Sequence, residues 1–215
     1  MHVMDRVGEV DFGIPEEAEL EAMSCLLAEE FSHFEPAAVA LGIPCSQVRS
    51  QVEAFGQKAV SEQLTVIARQ RNTHGILGAL VTEDFFTPLT TDTQMAAPAF
   101  APLGALLEGL DDQYRKVHTI EAGTHLHLFM LGVAAHATGR GVASRLVTTC
   151  LNNGRSRGYR TAVTEATGIV SQHIFRKLGF REMFVGSYQK FEFNGQRVFA
   201  SIRETEGVML MARDL

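Results

Sequence analysis

The segment from Leu126 to Val147 constrains the fold of this 215-residue chain more than any other. Residues 126–134 are apolar except at His127 and Gly132 and show no polar alternation, which is typical of a β-strand covered on both faces. Two glycines follow, and then apolar residues recur at helical spacing: Val142, Ala143, Leu146, Val147, Cys150 and Leu151. A strand, a glycine turn and a helix in this order place main-chain N–H groups and the positive end of a helix dipole at the end of a buried strand. The segment therefore predicts a binding site for a phosphate-bearing ligand.

The glycine turn resembles a family signature. Residues 138–143 read TGRGVA and resemble the Q/R-x-x-G-x-G/A motif of the GNAT superfamily of acetyltransferases, in which this turn holds the pyrophosphate of acetyl-coenzyme A. Thr138 stands where Arg or Gln is usual. Residues 173–180, HIFRKLGF, are similar to the helix-to-strand passage that closes the cofactor site of that family. The alternatives are a purely structural turn and a dinucleotide-binding turn, and the latter requires a third glycine where Ser144 stands.

The resemblance implies a set of cofactor-binding residues and acetyl-CoA as co-substrate, with no metal. The turn is expected to hold the diphosphate, and main-chain groups of Leu131 and Val133 are expected to pair with the pantetheine arm. Phe175 stands where many family members have a Tyr that protonates the leaving thiolate, so this chain cannot supply that proton in the same way. The expected turn residues are Thr138, Gly139, Arg140, Gly141, Val142 and Ala143.

Three residues are predicted to be catalytic on the same ground. Residues 31–43, FSHFEPAAVALGI, resemble the F-x-x-x-E-P-L-x-x-x-L-G-I passage of the arylalkylamine (dopamine) N-acetyltransferase branch. In that branch the glutamate before the proline is the general base and works through water, which implies this role for Glu35. The branch also carries hydroxyl residues before its Leu-Gly-Phe, and these positions fall on Ser171 and Thr167. The alternatives are that Glu35 ends a solvated helix and that Ser171 caps or lines one.

The pattern of elements predicts one α/β domain over residues 1–215. Its expected order is β, α, α, β, β, insertion, β, α, β, α, β, β, which is similar to the GNAT fold: a mixed sheet of about seven strands, splayed at the fourth and flanked by helices. Residues 85–120 are expected to be an insertion beside the substrate entrance, with a helix over residues 103–115. A later helix over residues 170–178 is expected to face inward through Val170, Ile174 and Leu178. Residues 72–75 predict a hairpin turn, and Asn194-Gly195 predicts the turn between two long C-terminal strands. The stretch with Pro36 and Pro44 is expected to be a loop.

Composition and charge restrict the setting and the partners. No apolar run is long enough for a membrane span and the N-terminus does not resemble a signal peptide, so we expect a cytoplasmic protein without a membrane partner. Residues 1–35 carry ten acids and one arginine, whereas residues 139–160 carry five arginines and no acid. This division would attract a cationic amine to one side of a cleft and anionic CoA to the other, and it argues against nucleic acid. A monomer or a homodimer is expected.

These features predict an acetyl-CoA-dependent N-acetyltransferase that acts on a small primary arylalkylamine by direct attack in a ternary complex. Other amine classes stay open: a polyamine, an amino acid or a protein N-terminus. The alternative outside enzymes is a non-catalytic acyl-CoA-binding regulatory module, which Thr138 and Phe175 favour. His125 and His127 alternate along a strand and would face one side, but no third ligand lies at a spacing that indicates a metal site.

Overall fold

The computed structural model describes residues 1–88 and 98–215, and these form a single sheet with helices on both faces. The strands of the described residues are β1 (His2–Val7), β2 (Val10–Ile14), β3 (Val66–Gln70), β4 (Ile76–Asp84), β5 (His125–Val133), β6 (Thr161–Ala166), β7 (Arg181–Ser187) and β8 (Gly207–Asp214). The helices are α1 (Leu20–Phe34), α2 (Pro36–Leu41), α3 (Cys45–Ser61), α4 (Ala101–Val117), α5 (Val142–Ser156) and α6 (Ile169–Lys177). The strand order is β1-β2-β3-β4-β5-β6-β8-β7.

Strands β5 and β6 are parallel neighbours in this sheet, whereas the other adjacent pairs are antiparallel. Their pairing covers three residue pairs and ends at His127 and Val163, although β5 continues to Val133. Opposite β4 the register shifts, so that Phe129 is the extra residue of a β-bulge on β5. A bulge bends its strand, and β5 therefore separates from β6 over its second half.

Three apolar clusters hold helices against the sheet. One face packs on α5 and α6, through residues such as Leu146, Val147 and Phe175. The opposite face packs on α1 and α3 over β3 to β5, and on α4 over β6 to β8. Because both faces are covered, β4 is buried at seven successive positions, and the first five of these are apolar residues or glycine.

The predicted mixed sheet flanked by helices is confirmed, and so is the hairpin at residues 72–75, which joins β3 to β4. The sheet has one strand more than expected, because β1 pairs with β2 at the N-terminal edge. The sheet was expected to splay at the fourth strand of the predicted order. Because β1 is additional, that strand is β5. The helix expected over residues 103–115 is α4. Part of the predicted 85–120 insertion, residues 89–97, lies outside the described residues.

Three local expectations are wrong. Residues 36–41 form helix α2 rather than a loop, because Pro36 is compatible with a first helical turn and Glu35 caps it. The Asn194-Gly195 turn does not connect two long strands. It lies between Phe193 and Gln196, which form an isolated β-bridge within the long connection from β7 to β8. Val170 was expected to face inward on α6, but it is 70% exposed and the helix packs through Phe175 instead.

In the parts of the chain that the structure describes, we find no helix with both the length and the apolar character that a membrane crossing requires.

Gly207 allows β8 to approach β7 closely, and its replacement by alanine is expected to destabilise the sheet. A Cβ atom there would lie 2.0 Å from the carbonyl oxygen of Gly186, which is a backbone atom and cannot move aside cheaply. We expect Gly207→Ala to lower the free energy of unfolding by about 3 kcal/mol or more in urea denaturation. The control is Gly109→Ala on α4, where no atom lies within 4 Å and a gain of roughly 0.5–1 kcal/mol is expected. Equal effects of the two changes would contradict this account of the β7–β8 contact.

Candidate active site

A cleft of about 1240 Å³ opens where β5 and β6 separate. Its walls are the second half of β5, the end of β6, the turn before α5, the start of α6, the α1–α2 junction and one side of α4. The structure thus brings together residues that are far apart in the sequence. Apart from Arg140, the predicted site residues all line this cleft: Glu35, Leu131, Val133, Thr138, Gly139, Gly141, Val142, Ala143, Thr167, Ser171 and Phe175.

The turn between β5 and α5 presents a row of free main-chain donors. Six successive N–H groups, from Gly139 to Ser144, donate to no acceptor among the described residues, and the next one, from Arg145, begins the helical pattern. Gly139 and Gly141 have φ values of 73° and 77°, which favour glycine, and a Cβ atom on either would meet no atom within 4 Å. Free amides at a helix N-terminus bind anions, and the open space above the glycines leaves room for one.

The side chains of this turn contribute less than its backbone. The Thr138 hydroxyl donates to the Ala135 carbonyl oxygen at 2.7 Å and closes the short turn that precedes the glycines. The expectation that all five arginines of residues 139–160 surround the anion is wrong. Arg155 lies in the last turn of α5, and Arg157 and Arg160 follow the helix, so all three are roughly 20 Å from the turn at 1.5 Å per helical residue. Arg145 pairs with Asp5 on β1. The positive potential at the turn therefore comes from its amides and from Arg140.

The main-chain groups of Leu131 and Val133 point into the opening between β5 and β6. The N–H of Ala134 donates to the Leu77 carbonyl oxygen of β4, and main-chain groups alternate in direction along a strand. Those of Leu131 and Val133 are consequently directed away from β4, toward the side where β6 no longer pairs. An extended amide-bearing ligand could hydrogen-bond there as a short additional strand.

Glu35 lies at the junction of α1 and α2 and is 8% exposed. Its carboxylate accepts hydrogen bonds from the N–H groups of Ala37 and Ala38 and so caps α2. Burial raises the pKa of Glu35, and hydrogen bonds from Ala38, Ala37 and the Thr167 hydroxyl oppose part of that rise. The residue is thus a helix cap whose carboxylate also faces the cleft.

Thr167 is the first residue after β6 and lies beside Glu35, and Ser171 lies in the first turn of α6. The Thr167 hydroxyl hydrogen-bonds to Glu35, and the Thr167 carbonyl oxygen accepts a hydrogen bond from the Tyr188 hydroxyl at 2.8 Å. Thr167 thus connects Glu35 to the C-terminal region. The Ser171 hydroxyl donates to the Gly168 carbonyl oxygen at 2.8 Å and accepts the Gly168 N–H at 3.3 Å. Ser171 therefore closes the first turn of α6 onto its N-cap residue, Gly168, and its catalytic role stays a prediction. Phe175 is buried and packs edge-to-face on Phe180.

A buried cluster of ionisable residues, which the sequence analysis did not single out, lies at the point where the strands separate. His127 on β5 contacts Glu83 on β4 through Nδ1 and Glu165 on β6 through Nε2, both at 2.6 Å. The Asp111 carboxyl of α4 lies beside Glu165. We call Glu83, His127, Glu165 and Asp111 the buried acidic cluster. Its sequence signal was His127, the one ionisable side chain within the apolar strand.

The charges within the buried acidic cluster shift one another's protonation. Burial opposes a charge on His127, but Glu165 and Glu83 outweigh burial and raise its pKa well above 6.5. Burial likewise disfavours the Glu165 carboxylate, yet His127 lowers its pKa. Burial and the neighbouring Glu165 raise the pKa of Asp111 to about 8. At neutral pH a positive His127 imidazolium and an ionised Glu165 therefore lie beside a protonated Asp111.

His127 and His125 face the same side of β5, as expected, toward Phe85 and Tyr114 respectively. The His125 Nδ1 contacts the Thr124 hydroxyl at 2.8 Å. Across residues 1–88 and 98–215, no three His, Cys, Asp or Glu side chains are arranged to hold a metal ion.

Several acidic side chains of residues 1–35 form ion pairs away from the cleft. Asp5 pairs with Arg145, and Asp11 with Arg71. Glu19 pairs with Arg69. Of the ten acids in residues 1–35, the cleft is lined by Glu30 and Glu35. The expectation that this segment supplies the acidic side of the cleft is therefore largely wrong, and α4, β4 and β6 supply most of it.

The expected family resemblance is confirmed by comparison with known proteins. Residues 102–180, which are less than half of the chain, match the Acetyltransferase (GNAT) family. This segment includes α4, the turn with the free amides and the helix that carries Ser171.

Solved structures extend the likeness of fold to nearly the whole chain. The C-terminal condensation domain of Ebony, in complex with beta-alanyl-dopamine, superposes with a TM-score of 0.87 at 14% identity, covering 96% of this chain and 99% of that one. Arylalkylamine N-acetyltransferase 2 from Aedes aegypti gives 0.80 at 18% identity, with 96% and 99% covered. The polyamine N-acetyltransferase of Drosophila melanogaster, which forms N-acetylagmatine, gives 0.72 at 20% identity, with 96% and 100% covered. At these identities the comparison shows a common fold.

The raised pKa of Asp111 makes stability depend on pH, and Asp111→Asn should remove that dependence. Between its ordinary value of 3.8 and about 8, the folded protein keeps a proton that the unfolded chain has lost. Its stability therefore falls as pH rises, by about 1.4 kcal/mol per pH unit in this window. In urea denaturation, we expect the free energy of unfolding of Asp111→Asn to rise relative to that of the wild type from pH 5 to pH 8. Above pH 8 this difference should level off. A constant difference across this range, or the same trend in the exposed neighbour Asp112→Asn, would contradict the assignment.

Proposed function

We propose that this chain, which has the GNAT fold and matches that family over residues 102–180, is an acetyl-CoA-dependent N-acetyltransferase of small primary amines. The observation that carries the proposal is the row of six free N–H groups from Gly139 to Ser144 at the edge of a cleft between parting strands. The arylalkylamine class is the finer part of the proposal. The amine attacks the thioester directly while both substrates are bound.

The turn and β5 hold the thioester in this proposal. The six amides receive the diphosphate, and the main-chain groups of Leu131 and Val133 receive the amides of the pantetheine arm. The arm then runs along β5 toward the bulge at Phe129, where the strands meet. A main-chain N–H of β5 near this point would stabilise the oxyanion that forms on the thioester carbonyl, an effect worth about 3 kcal/mol for one donor.

Glu35 supplies the base. An alkyl ammonium has a pKa near 10.4, so about one molecule in a thousand is neutral at pH 7 and able to attack. Glu35 accepts the proton of the amine through water as the N–C bond forms and the C–S bond breaks, and the departing thiolate takes up a proton from solvent or from a hydroxyl of the cleft. The raised pKa of Glu35 brings it closer to neutral pH, which favours general base catalysis. Thr167 orients its carboxylate.

Aromatic side chains support an arylalkylamine as acceptor. Phe31 and Phe34 from α1 and Phe129 from β5 line the cleft, and Phe34 is 67% exposed there. Such rings bind an aromatic group by offset or edge-to-face stacking. The fold neighbours include an arylalkylamine N-acetyltransferase and a domain bound to beta-alanyl-dopamine, which agree with this class, whereas the polyamine N-acetyltransferase keeps a second class open.

Consumption of acetyl-CoA against a panel of amines tests the proposed function. The panel contains phenethylamine, tryptamine, dopamine, agmatine, 1,4-diaminobutane and an amino acid. Release of free CoA with at least one primary amine is the expected result. Calorimetric binding of acetyl-CoA without any consumption would instead support the regulatory module that Thr138 and Phe175 favour.

Glu35→Gln should lower kcat by about 100-fold or more, because it removes the base. The wild-type rate is expected to fall as pH falls through the raised pKa of Glu35, above 4.5, and this acidic limb should disappear in Glu35→Gln. Glu35→Asp is the matched control, since aspartate also caps a helix and keeps the charge. An acidic limb unchanged in Glu35→Gln, with kcat within threefold of the wild type, would show that Glu35 only caps α2.

Gly141→Val should weaken the binding of acetyl-CoA by at least tenfold in calorimetry. A β-branched residue is strained at a φ of 77°, and its side chain would stand in the open space above the amides. Gly158→Val is the control, because Gly158 has a φ of 94° and open space at the other end of α5. Both variants should lose stability, but we expect only Gly141→Val to lose affinity. Equal affinities would count against the turn as the diphosphate site.

A further inference from the structure

The described lining of the cleft carries far more negative than positive side chains. Eight of its residues are Asp or Glu, against one arginine, Arg115, and the imidazole of His127. Arg115 is directed elsewhere, because it donates to the Phe85 carbonyl oxygen and lies 4.2 Å above the Phe85 ring. The carboxyl groups concentrate on the side of α4, β4 and β6, away from the turn that binds the diphosphate: Glu83, Glu108, Asp111, Asp112 and Glu165.

Oε1 of Glu165 and Oδ1 of Asp111 are buried and accept no hydrogen bond from another group of the described residues, and both residues line the cleft. The two carboxyl groups lie within hydrogen-bond reach of each other, so protonated Asp111 can donate to the Glu165 carboxylate. The Glu165 side chain is only 4% exposed, so water does not satisfy it as it would at the surface. A cationic ligand with N–H donors would replace this shared proton and could donate to both carboxylates.

We propose that Asp111 and Glu165 form a subsite for a second cationic group of the acceptor, distinct from the amine that is acetylated. The ligand class is a primary amine that carries another ammonium or a guanidinium, at the far end of a short chain. This inference rests on the proposed N-acetyltransferase function and concerns the second acceptor class left open there, the polyamines. An arylalkylamine would use the same base but not this subsite.

The subsite suits a group that stays charged rather than the amine that reacts. Carboxylates stabilise an ammonium and so raise its pKa, which opposes the loss of the proton that attack requires. The reacting amine is better placed near Glu35 and Thr167, where a single carboxylate can take its proton. Asp111 and Glu165 would then hold the other end of the molecule.

The geometry of β6 separates the two positions by a short distance. Glu165 lies near the end of β6 and Thr167 directly follows the strand, so their Cα atoms are at most about 7 Å apart, and both residues line the cleft. Thr167 hydrogen-bonds to Glu35, which fixes the position of the base relative to the subsite. A short aliphatic chain between two nitrogens spans such a separation.

Binding a cation would also change the protonation of Asp111. The groups that face it are Glu165 from β6 and His127 from β5, with Arg115 on its own helix. A cation beside Asp111 favours its ionised form, so Asp111 would release its proton as the ligand binds and gain a charge to pair with it.

The test compares 1,4-diaminobutane with butylamine, which have the same carbon chain and differ in the second ammonium. For the wild type we expect kcat/KM to be at least tenfold higher for the diamine. Asp111→Asn should lower this ratio at least tenfold, and Glu165→Gln should do the same if thermal unfolding shows that it stays folded. Asp111→Asn is the primary variant, because asparagine has the shape of the protonated acid. Asp112→Asn removes an exposed carboxylate that lines the same cleft but lies outside the subsite. Solvent screens its charge, so it should lower the ratio less than threefold.

Several results would overturn the subsite. The first is an equal kcat/KM of the wild type for butylamine and the diamine, and the second is an equal effect of Asp112→Asn and Asp111→Asn on their ratio. The third is that Asp111→Asn lowers kcat/KM only for dopamine relative to phenethylamine, which would indicate a hydroxyl-binding site. Calorimetric titration of both amines gives the same comparison without turnover. Tight diamine binding that Asp111→Asn abolishes, with no consumption of acetyl-CoA, would overturn the proposed function and support the subsite.

Discussion

The separation of β5 from β6 after His127 is the constraint on which the rest of the site depends. If β5 and β6 stayed paired along their whole length, their main-chain groups would hydrogen-bond to each other. Those of Leu131 and Val133 would then not be available to a ligand. The bulge at Phe129 prevents this by bending β5 away. The same divergence opens the cleft that reaches from the glycine turn to the buried acidic cluster.

The tertiary structure, rather than position in the sequence, determines which charges lie at each end of the cleft. At one end, six amides and Arg140 present positive potential without a buried charge. At the other end, carboxyl groups from α4, β4 and β6 surround His127, and one of them, Asp111, stays protonated at neutral pH. An anionic co-substrate and a cationic acceptor would therefore enter from opposite ends and meet where the strands part. This arrangement is consistent with direct transfer in a ternary complex.

The sequence predicted the local and periodic features well. The apolar run, the glycines and the amphipathic α5 follow one another along the chain, so their pattern alone predicts the turn. The buried acidic cluster joins residues 83, 111, 127 and 165, and no spacing rule connects these positions. The charge pattern was misleading for a related reason: α5 carries Arg155 and Arg157 to the end opposite the turn, and surface arginines neutralise the N-terminal acids. Tertiary pairing, rather than composition, decides which charges reach the cleft.

A crystal structure of the protein with CoA tests the central claim most directly. The account predicts diphosphate oxygens within about 3.2 Å of main-chain nitrogens between Gly139 and Ser144, and pantetheine amides paired with Leu131 and Val133 in the gap beside β5. A diphosphate bound by side chains elsewhere, or CoA lying outside the gap between β5 and β6, would contradict it.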